Sequence, residues 1–411
     1  MRSVQDHLTA VLAAVGPVPP LDVVLADAAG CILAADLVAS ADVPPVASAA
    51  RDGYAVAAHD TDGAGLGREV ALPVVHDVRP GAAVTRLAPG QAVRVASGAP
   101  LPVGADAVVP VEETDRGAAR VALQRPVEAG RHVRPPGSDV RAGDVLLGAG
   151  TRLGARAVAL AAAAGRGRLR VHPTPRVVLL SVGDELVEPT TAGHAPAGAV
   201  YEADGHGLHA AVRDAGATPV RVGVVPDDRA ALREALEDQL VRADMVITTG
   251  GLSELADDTV KDVLAGYGTV RLDQVAMAPG GRHGFGTLGS DLGRGDPVPV
   301  FALPGHPVAA QVAFEVFVRP ALLAARGHTE LFRPSVAART TTGWPSPAGL
   351  RQFVPATLLG TPDEGYTVTP VGDPARPSTA ALAQANALAV VNELDTDVRP
   401  GQVVHCLVLE G

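Results

Sequence analysis

The sequence is poor in aromatic residues: Phe, Trp and Tyr together make up 3%, with a single tryptophan. Its cores must therefore be built mostly from Val, Leu and Ala. Cysteine is nearly absent as well. Cys31 and Cys406 share no metal-ligand spacing, which argues against a disulfide framework and for two buried free thiols. No HExxH, GxSxG, paired CxxC or GxxxxGK[ST] run occurs, so metalloprotease, α/β-hydrolase and P-loop chemistry lose their support. Positive charge is also short, with 34 Lys and Arg against 45 Asp and Glu and a formal charge of -11. That balance argues against a general nucleic-acid or membrane-surface role, while leaving room for a phosphorylated small molecule in one locally favourable pocket. The apolar part of the N-terminus is interrupted by Gln5, Asp6 and His7, and the Ala-rich run from Ala155 to Ala164 is too short to span a bilayer. A cytoplasmic location is the expectation.

What is present is a folded chain of 411 residues, 47% apolar, long enough for two to four domains. Residues 3–15 have an amphipathic helical pattern, and Asp27 to Ala35 reads as a second short helix. Pro44-Pro45 then forces an extended path, and Asp52-Gly53 signals a turn. From Val70 to about Leu147, short alternating strands are separated by glycine turns. Leu153 to Ala164 is helical, and the basic run GRGRLRVH at 165–172 reads as a solvated linker face. From Pro175 the pattern changes to strands at Arg176–Leu180, Thr218–Val224, Met245–Thr248 and Val298–Leu303. These alternate with helices at Leu208–Ala215, Arg229–Leu240, Thr259–Leu264 and Pro307–Ala325. Such βα units call for a mainly parallel sheet covered on both faces. After His328, short Val/Leu runs and glycine turns indicate a small β domain. The expected division is 1–40 with 141–174, 41–140, 175–327 and 328–411.

Three apolar strands of the βα region run into polar, glycine-containing loops: SVGDE at 181–185, TGGLS at 249–253 and PGHP at 304–307. Loops at the carboxyl ends of parallel strands converge, and their backbone N–H groups can cradle an anion. Ser181, Gly183, Thr249, Gly250, Gly251, Ser253, Pro304, Gly305 and His306 are the binding candidates, with His306 read as a turn hydrogen bonder. Acid pairs fall at the same edge: Asp184-Glu185, Asp227-Asp228 and Asp257-Asp258. Each could be a helix cap, worth about 1 kcal/mol. Gathered together, they would repel one another, and a divalent cation would relieve this.

Taken in order, DVPP and DGYA within 42–55, SGAPLPVGADAVVPVEE at 97–113, GSD at 137–139, PRVVLLSVGDEL at 175–186, ITTGGLS at 247–253, Asp258 and LPGHPVAA at 303–310 resemble the molybdopterin molybdenumtransferase family over essentially the whole chain. The resemblance implies a mainly parallel three-layer α/β molybdopterin-binding domain with a discontinuous helical domain, an inserted β domain and a C-terminal β-barrel-like domain. It implies an elongated homodimer whose site takes Asp52, Ser97 and Asp139 from one subunit's β domain. Glu185, Asp227 or Asp228, Gly250, Gly251, Ser253, Asp258 and the Pro304-Gly305 loop would come from the other subunit's α/β domain. The implied reaction inserts molybdate into adenylylated molybdopterin and releases AMP, with Mg²⁺ held by Glu185, Asp227, Asp228 and Asp258. Catalytic work falls to Asp52, Glu185, Asp228 and Asp258. Contact with other proteins of molybdenum cofactor synthesis is implied as well, and no nucleic-acid or membrane partner.

The sequence departs from the family pattern where ligand is expected. SAMDGYA reads AARDGYA with Ala49 and Arg51, KPGKP reads APGGR at 278–282, LPGNP reads LPGHP, and Glu254 and Leu255 replace small residues of the glycine loop. Arg51, Arg282 and His283 are candidates to replace the missing lysines. Two other uses of the fold remain open: a protein that binds molybdopterin or a partner without inserting metal, and a nucleotide-pyrophosphate hydrolase.

Overall fold

The computed structural model describes residues 1–65, 67–189, 194–252, 259–267, 269–289 and 297–409. Helix α1 (Val4–Ala14) starts at Ser3, whose hydroxyl accepts the Asp6 N–H at 3.0 Å. Its Val4, Leu8 and Val11 recur at helical spacing and pack into the core of the distant α/β sheet, beside Phe317 and Leu322.

The β domain is a five-stranded sheet of β1 (Gly53–Val56), β2 (Val70–Val78), β3 (Ala92–Val95), β4 (Ala107–Pro110) and β5 (Arg120–Leu123), in the order β4-β1-β3-β2-β5. Alternate side chains leave on opposite faces, so Tyr54, Val56, Val109 and Val121 join one core while Ala55, Val93, Val95 and Val108 join another.

The chain then returns to the strands it left. Leu21–Val24, Ile32–Leu33 and Arg168–His172 form an antiparallel sheet over helix α2 (Ala155–Ala163). Two local expectations are corrected here. Asp27–Ala35 is not a helix: Leu25–Asp27 makes one 3-10 turn, Gly30 takes φ +82°, and Ile32-Leu33 pair as a strand. The basic run at 165–172 is not a linker either. Leu169 and Val171 point inward, and the arginines between them mask a strand alternation.

The α/β domain has four parallel strands, β6 (Arg176–Val182), β7 (Thr218–Val225), β8 (Met245–Thr249) and β11 (Val298–Leu303). Antiparallel β9 (Arg271–Gln274) and β10 (Arg282–Leu288) complete the order β7-β6-β8-β11-β10-β9. Val177, Leu179, Ile247 and Phe301 face α3 (Asp204–Asp214) and the long helix α6 (Pro307–Ala325), which carries a π turn at Phe314–Val318. Val178, Leu180, Val246 and Val300 face α4 (Arg229–Leu240) and α5 (Thr259–Ala265). On α4, Leu232, Leu236 and Leu240 are each at most 3% exposed. Spaced four apart, they lie on one face and contribute about 1.5–3 kcal/mol apiece. By length and composition α6 would suit a membrane, but 78% of its apolar window is buried, which makes it the core helix of this domain.

The C-terminal strands β12 (Ser335–Thr340), β13 (Arg351–Thr361), β14 (Gly365–Pro370), β15 (Ala387–Val391) and β16 (Val403–Val408) close on themselves through the β13–β15 pairing. Closure removes free edges and buries Cys406. Both cysteines are buried free thiols.

Candidate active site

The connections from β6 to β7 and from β7 to β8 move in opposite directions across the sheet. The carboxyl ends of β6 and β8 therefore flank a topological switch point, where such sheets hold ligands. Their loops meet at Gly250. Its N–H donates to the Leu303 carbonyl at 3.3 Å, and its φ of +83° favours glycine. A methyl group there would collide with the Val182 carbonyl, and a methyl group on Gly305 would lie 3.0 Å from the Gly250 Cα. The chain can thus stack the ends of β6, β8 and β11 only because these positions lack side chains. A fourth turn joins them: a methyl group on Gly280 would lie 3.0 Å from the Pro304 Cγ. Because β10 is antiparallel to β11, its first residue, Arg282, stands at this same edge. Arg282 Nη1 donates to the Leu252 carbonyl at 3.1 Å.

Beneath the loops, Thr249 Oγ1 donates to Ser181 Oγ at 3.4 Å, and Ser181 Oγ donates to Glu202 Oε1 at 3.0 Å. The Gly205 N–H donates to the same Glu202 oxygen at 2.5 Å. Asp204 next door has its pKa pushed up to about 7, first by burial and then by the Glu202 charge. Ser181 and Thr249 are 3% exposed, so their side chains support the loops from inside the domain.

The acids gather at one corner. Asp184 Oδ1 accepts the Asp227 N–H at 3.1 Å, and a methyl group on Gly183 would lie 2.6 Å from a Glu185 oxygen. The Asp227 carboxyl is held above its ordinary range by burial and by the charges of Asp184 and Glu185. Asp228 caps α4, accepting the Ala231 N–H at 2.8 Å. Ser253, Asp257 and Asp258 lie outside the described residues. His306 is exposed at the start of α6, whose Ala310 N–H donates to the His306 carbonyl.

A second set of candidates lies in the β domain. Asp52 Oδ1 accepts the Ser97 N–H at 2.7 Å, and Ser97 Oγ donates to the Ala50 carbonyl at 3.2 Å. Asp139 forms an ion pair with Arg134 at 2.6 Å. Arg51 is exposed beside Asp52. Among the described residues, no hydrogen bond or ion pair joins 41–140 to 175–327. His283 does not stand in for a lysine. It is 1% exposed, packs against His7 and Phe317, and has its pKa lowered to about 4 by burial, which leaves it neutral.

Among the described residues, Glu188, Glu202 and His206 form a cluster whose ligand atoms lie within 4.8 Å of one another. Sequence reading missed it because its members come from a loop, a buried turn and the first turn of α3, with no recognisable spacing. Arg221 competes for the same oxygens: it binds Glu188 and stands 3.2 Å from Glu202 Oε2.

Fold and site together define a doubly wound α/β protein whose glycine loops and acidic corner lie at the switch point of its sheet, where such sheets hold ligands. Comparison with protein families matches residues 2–165 to the "MoeA N-terminal region (domain I and II)", 178–324 to the "Probable molybdopterin binding domain" and 337–409 to the "MoeA C-terminal region (domain IV)". Molybdopterin molybdenumtransferase 1 of Mycobacterium tuberculosis is 40% identical over 430 residues, covering 100% of this chain and 99% of the relative. Molybdopterin molybdenumtransferase 2 of the same organism is 40% identical over 408 residues, covering 98% of each. The crystal structure of the molybdopterin biosynthesis moea protein from Pyrococcus horikosii has a TM-score of 0.83 at 28% identity, covering 100% of this chain and 99% of that one. The chain belongs to the molybdopterin molybdenumtransferase family, a family of transferases in molybdenum cofactor biosynthesis.

Proposed function

We propose that this enzyme takes molybdate and adenylylated molybdopterin as substrates, inserts molybdenum at the dithiolene and releases AMP, with Mg²⁺ at the acidic corner. The observation that carries the reading is the stacking of the β6, β8 and β11 loops at Gly250, beside clustered carboxylates. The N–H groups of Gly251 and Gly305 are not donated to other described residues, so they are available to phosphate oxygens. Arg282 adds a cation at the edge where the family pattern places lysines.

Asp184, Glu185 and Asp227 supply oxygen ligands that suit a hard divalent cation, and the Asp227 carboxyl is held high by burial, with the charges of Asp184 and Glu185 adding to it. When bound, the cation would neutralise phosphate charge. The chain's own contribution is to orient the diphosphate on the glycine loops and to place water at phosphorus, so that positioning and charge neutralisation carry the rate. Asp52, Ser97 and Asp139 would complete the site from a second subunit.

The test supplies the protein with adenylylated molybdopterin, Mg²⁺ and molybdate. Molybdate-dependent AMP release, with active cofactor formed, is the expected result. AMP release indifferent to molybdate would replace the transferase with a hydrolase, and tight binding without turnover would leave a binding protein.

A further inference from the structure

The β domain holds a cleft of about 380 Å³ lined by Asp52, Asp77, Arg79, Pro80, Arg94 and their neighbours. Two separate turns build it. Arg79 and Pro80 follow β2, and Pro80 packs against the Ser97-Gly98 turn, where a methyl group on Gly98 would lie 3.6 Å from the Pro80 Cγ. Arg94 stands on β3, opposite Tyr54 of β1 and opposite Asp77 of β2. In spite of that register, Arg94 forms no ion pair with Asp77, and the guanidinium of neither Arg79 nor Arg94 donates a hydrogen bond to a described residue. Asp52 has one oxygen committed to the Ser97 N–H. Two guanidiniums without internal partners therefore line the cleft that Asp52 also lines.

We infer that Arg79 and Arg94 form a binding site for a tetrahedral oxyanion of the substrates, a phosphate of the adenylylated pterin or molybdate itself, presented from the β domain. The inference rests on the transferase reading for the identity of the ligand, though not for the existence of the site. Guanidinium forks match the spacing of two oxyanion oxygens and remain charged at every working pH. Two of them on the β-domain side would offset the cations missing from APGGR at 278–282.

The test measures binding of AMP and, separately, of molybdate to the full chain by calorimetry, for wild type, the double variant Arg79→Gln/Arg94→Gln and the conservative Arg94→Lys. The expected result is a loss of about tenfold or more in affinity for one of the two oxyanions in the double variant. Partial recovery is expected in Arg94→Lys. Whichever oxyanion is lost names the ligand. The thermal midpoint should not move, because both arginines are exposed and unpaired. In turnover, KM for the substrate that carries the lost oxyanion, adenylylated molybdopterin or molybdate, should rise more than kcat falls. A double variant that binds AMP and molybdate as wild type does would overturn the inference and leave the transferase reading intact. A wild type without turnover would overturn that reading alone, since oxyanion binding is scored independently.

Discussion

Gly305 rests on Gly250: a methyl group on the first would stand 3.0 Å from the Cα of the second, and Gly250 in turn lies under the Val182 carbonyl. Three strand ends are stacked through two residues that have no side chains. Gly250→Ala would place a side chain at φ +83° and against a backbone oxygen that cannot swing aside. The expected cost is about 1–3 kcal/mol, together with a displaced loop. Gly305→Ala has no such backbone penalty and need shift the loop by only a few tenths of an ångström. Denaturation midpoints should therefore fall clearly for Gly250→Ala and slightly for Gly305→Ala, while both lose substrate affinity. Equal midpoints for the two variants would contradict this account of the junction.

The same junction shows what the sequence made legible. Apolar strands ending in SVGDE, TGGLS and PGHP placed three loops at one edge of the sheet, because a parallel strand buried on both faces reads as a continuous apolar run. The β6-β8 switch point follows from strand order, which spacing along the chain does not contain. Long-range pairing is also why Arg168–His172 was misread: it becomes a strand only when Leu21–Val24 and Ile32–Leu33 come to meet it. The early start of α3 at Asp204 escaped notice for a related reason. Its first turn is tied down by a buried glutamate accepting the Gly205 N–H, a contact that helical periodicity does not record. His283 illustrates the reverse error. A histidine beside an arginine looked like a spare cation, but its surroundings in the fold are His7 and Phe317.

Arg282 differs from His283 in reaching the glycine loop, through the Leu252 carbonyl at 3.1 Å. Hydrogen bonds to a charged donor contribute about 1.5–3 kcal/mol, and this one fixes the loop as well as supplying charge. Arg282→Gln should raise KM for adenylylated molybdopterin on the order of tenfold, with a smaller effect on kcat. Arg282→Lys should recover charge without the forked geometry and fall between the two. A KM unchanged in Arg282→Gln would remove this arginine from the site.

Buried titrating groups set the acid limb of stability. His7, His283 and His328 have pKa values lowered from 6.5 to about 4, each chiefly by burial. The unfolded chain takes up protons at these residues first, so their effect is to lose stability as pH falls from about 6.5 to 4. Asp204 has the opposite sign: raised from 3.8 to about 7, it loses stability as pH rises through that interval. Three groups oppose one, so urea midpoints should rise from pH 4.5 to 6.5. Asp204→Asn should steepen that rise and increase stability at pH 7.5. If Asp204→Asn leaves the profile unchanged, its carboxyl is not titrating in the folded protein as described.

The acidic corner separates a cap from a cation ligand. Asp228 has an oxygen on the Ala231 N–H, and asparagine caps helices as well as aspartate does. Asp228→Asn should therefore leave both stability and the Mg²⁺ requirement near wild type, while Asp228→Ala loses about 1 kcal/mol. Glu185 and Asp227 make the contrasting case: burial raises the Asp227 carboxyl first, and the charges of Asp184 and Glu185 add to it. Glu185→Gln should lower the Asp227 carboxyl only in part, since burial and Asp184 remain, and increase the Mg²⁺ needed for half-maximal AMP release by about tenfold, the loss expected when one charged oxygen ligand is removed. Titrating Mg²⁺ against AMP release in the three variants decides the matter. A large shift for Asp228→Asn with none for Glu185→Gln would move the cation from the β6 loop to the start of α4.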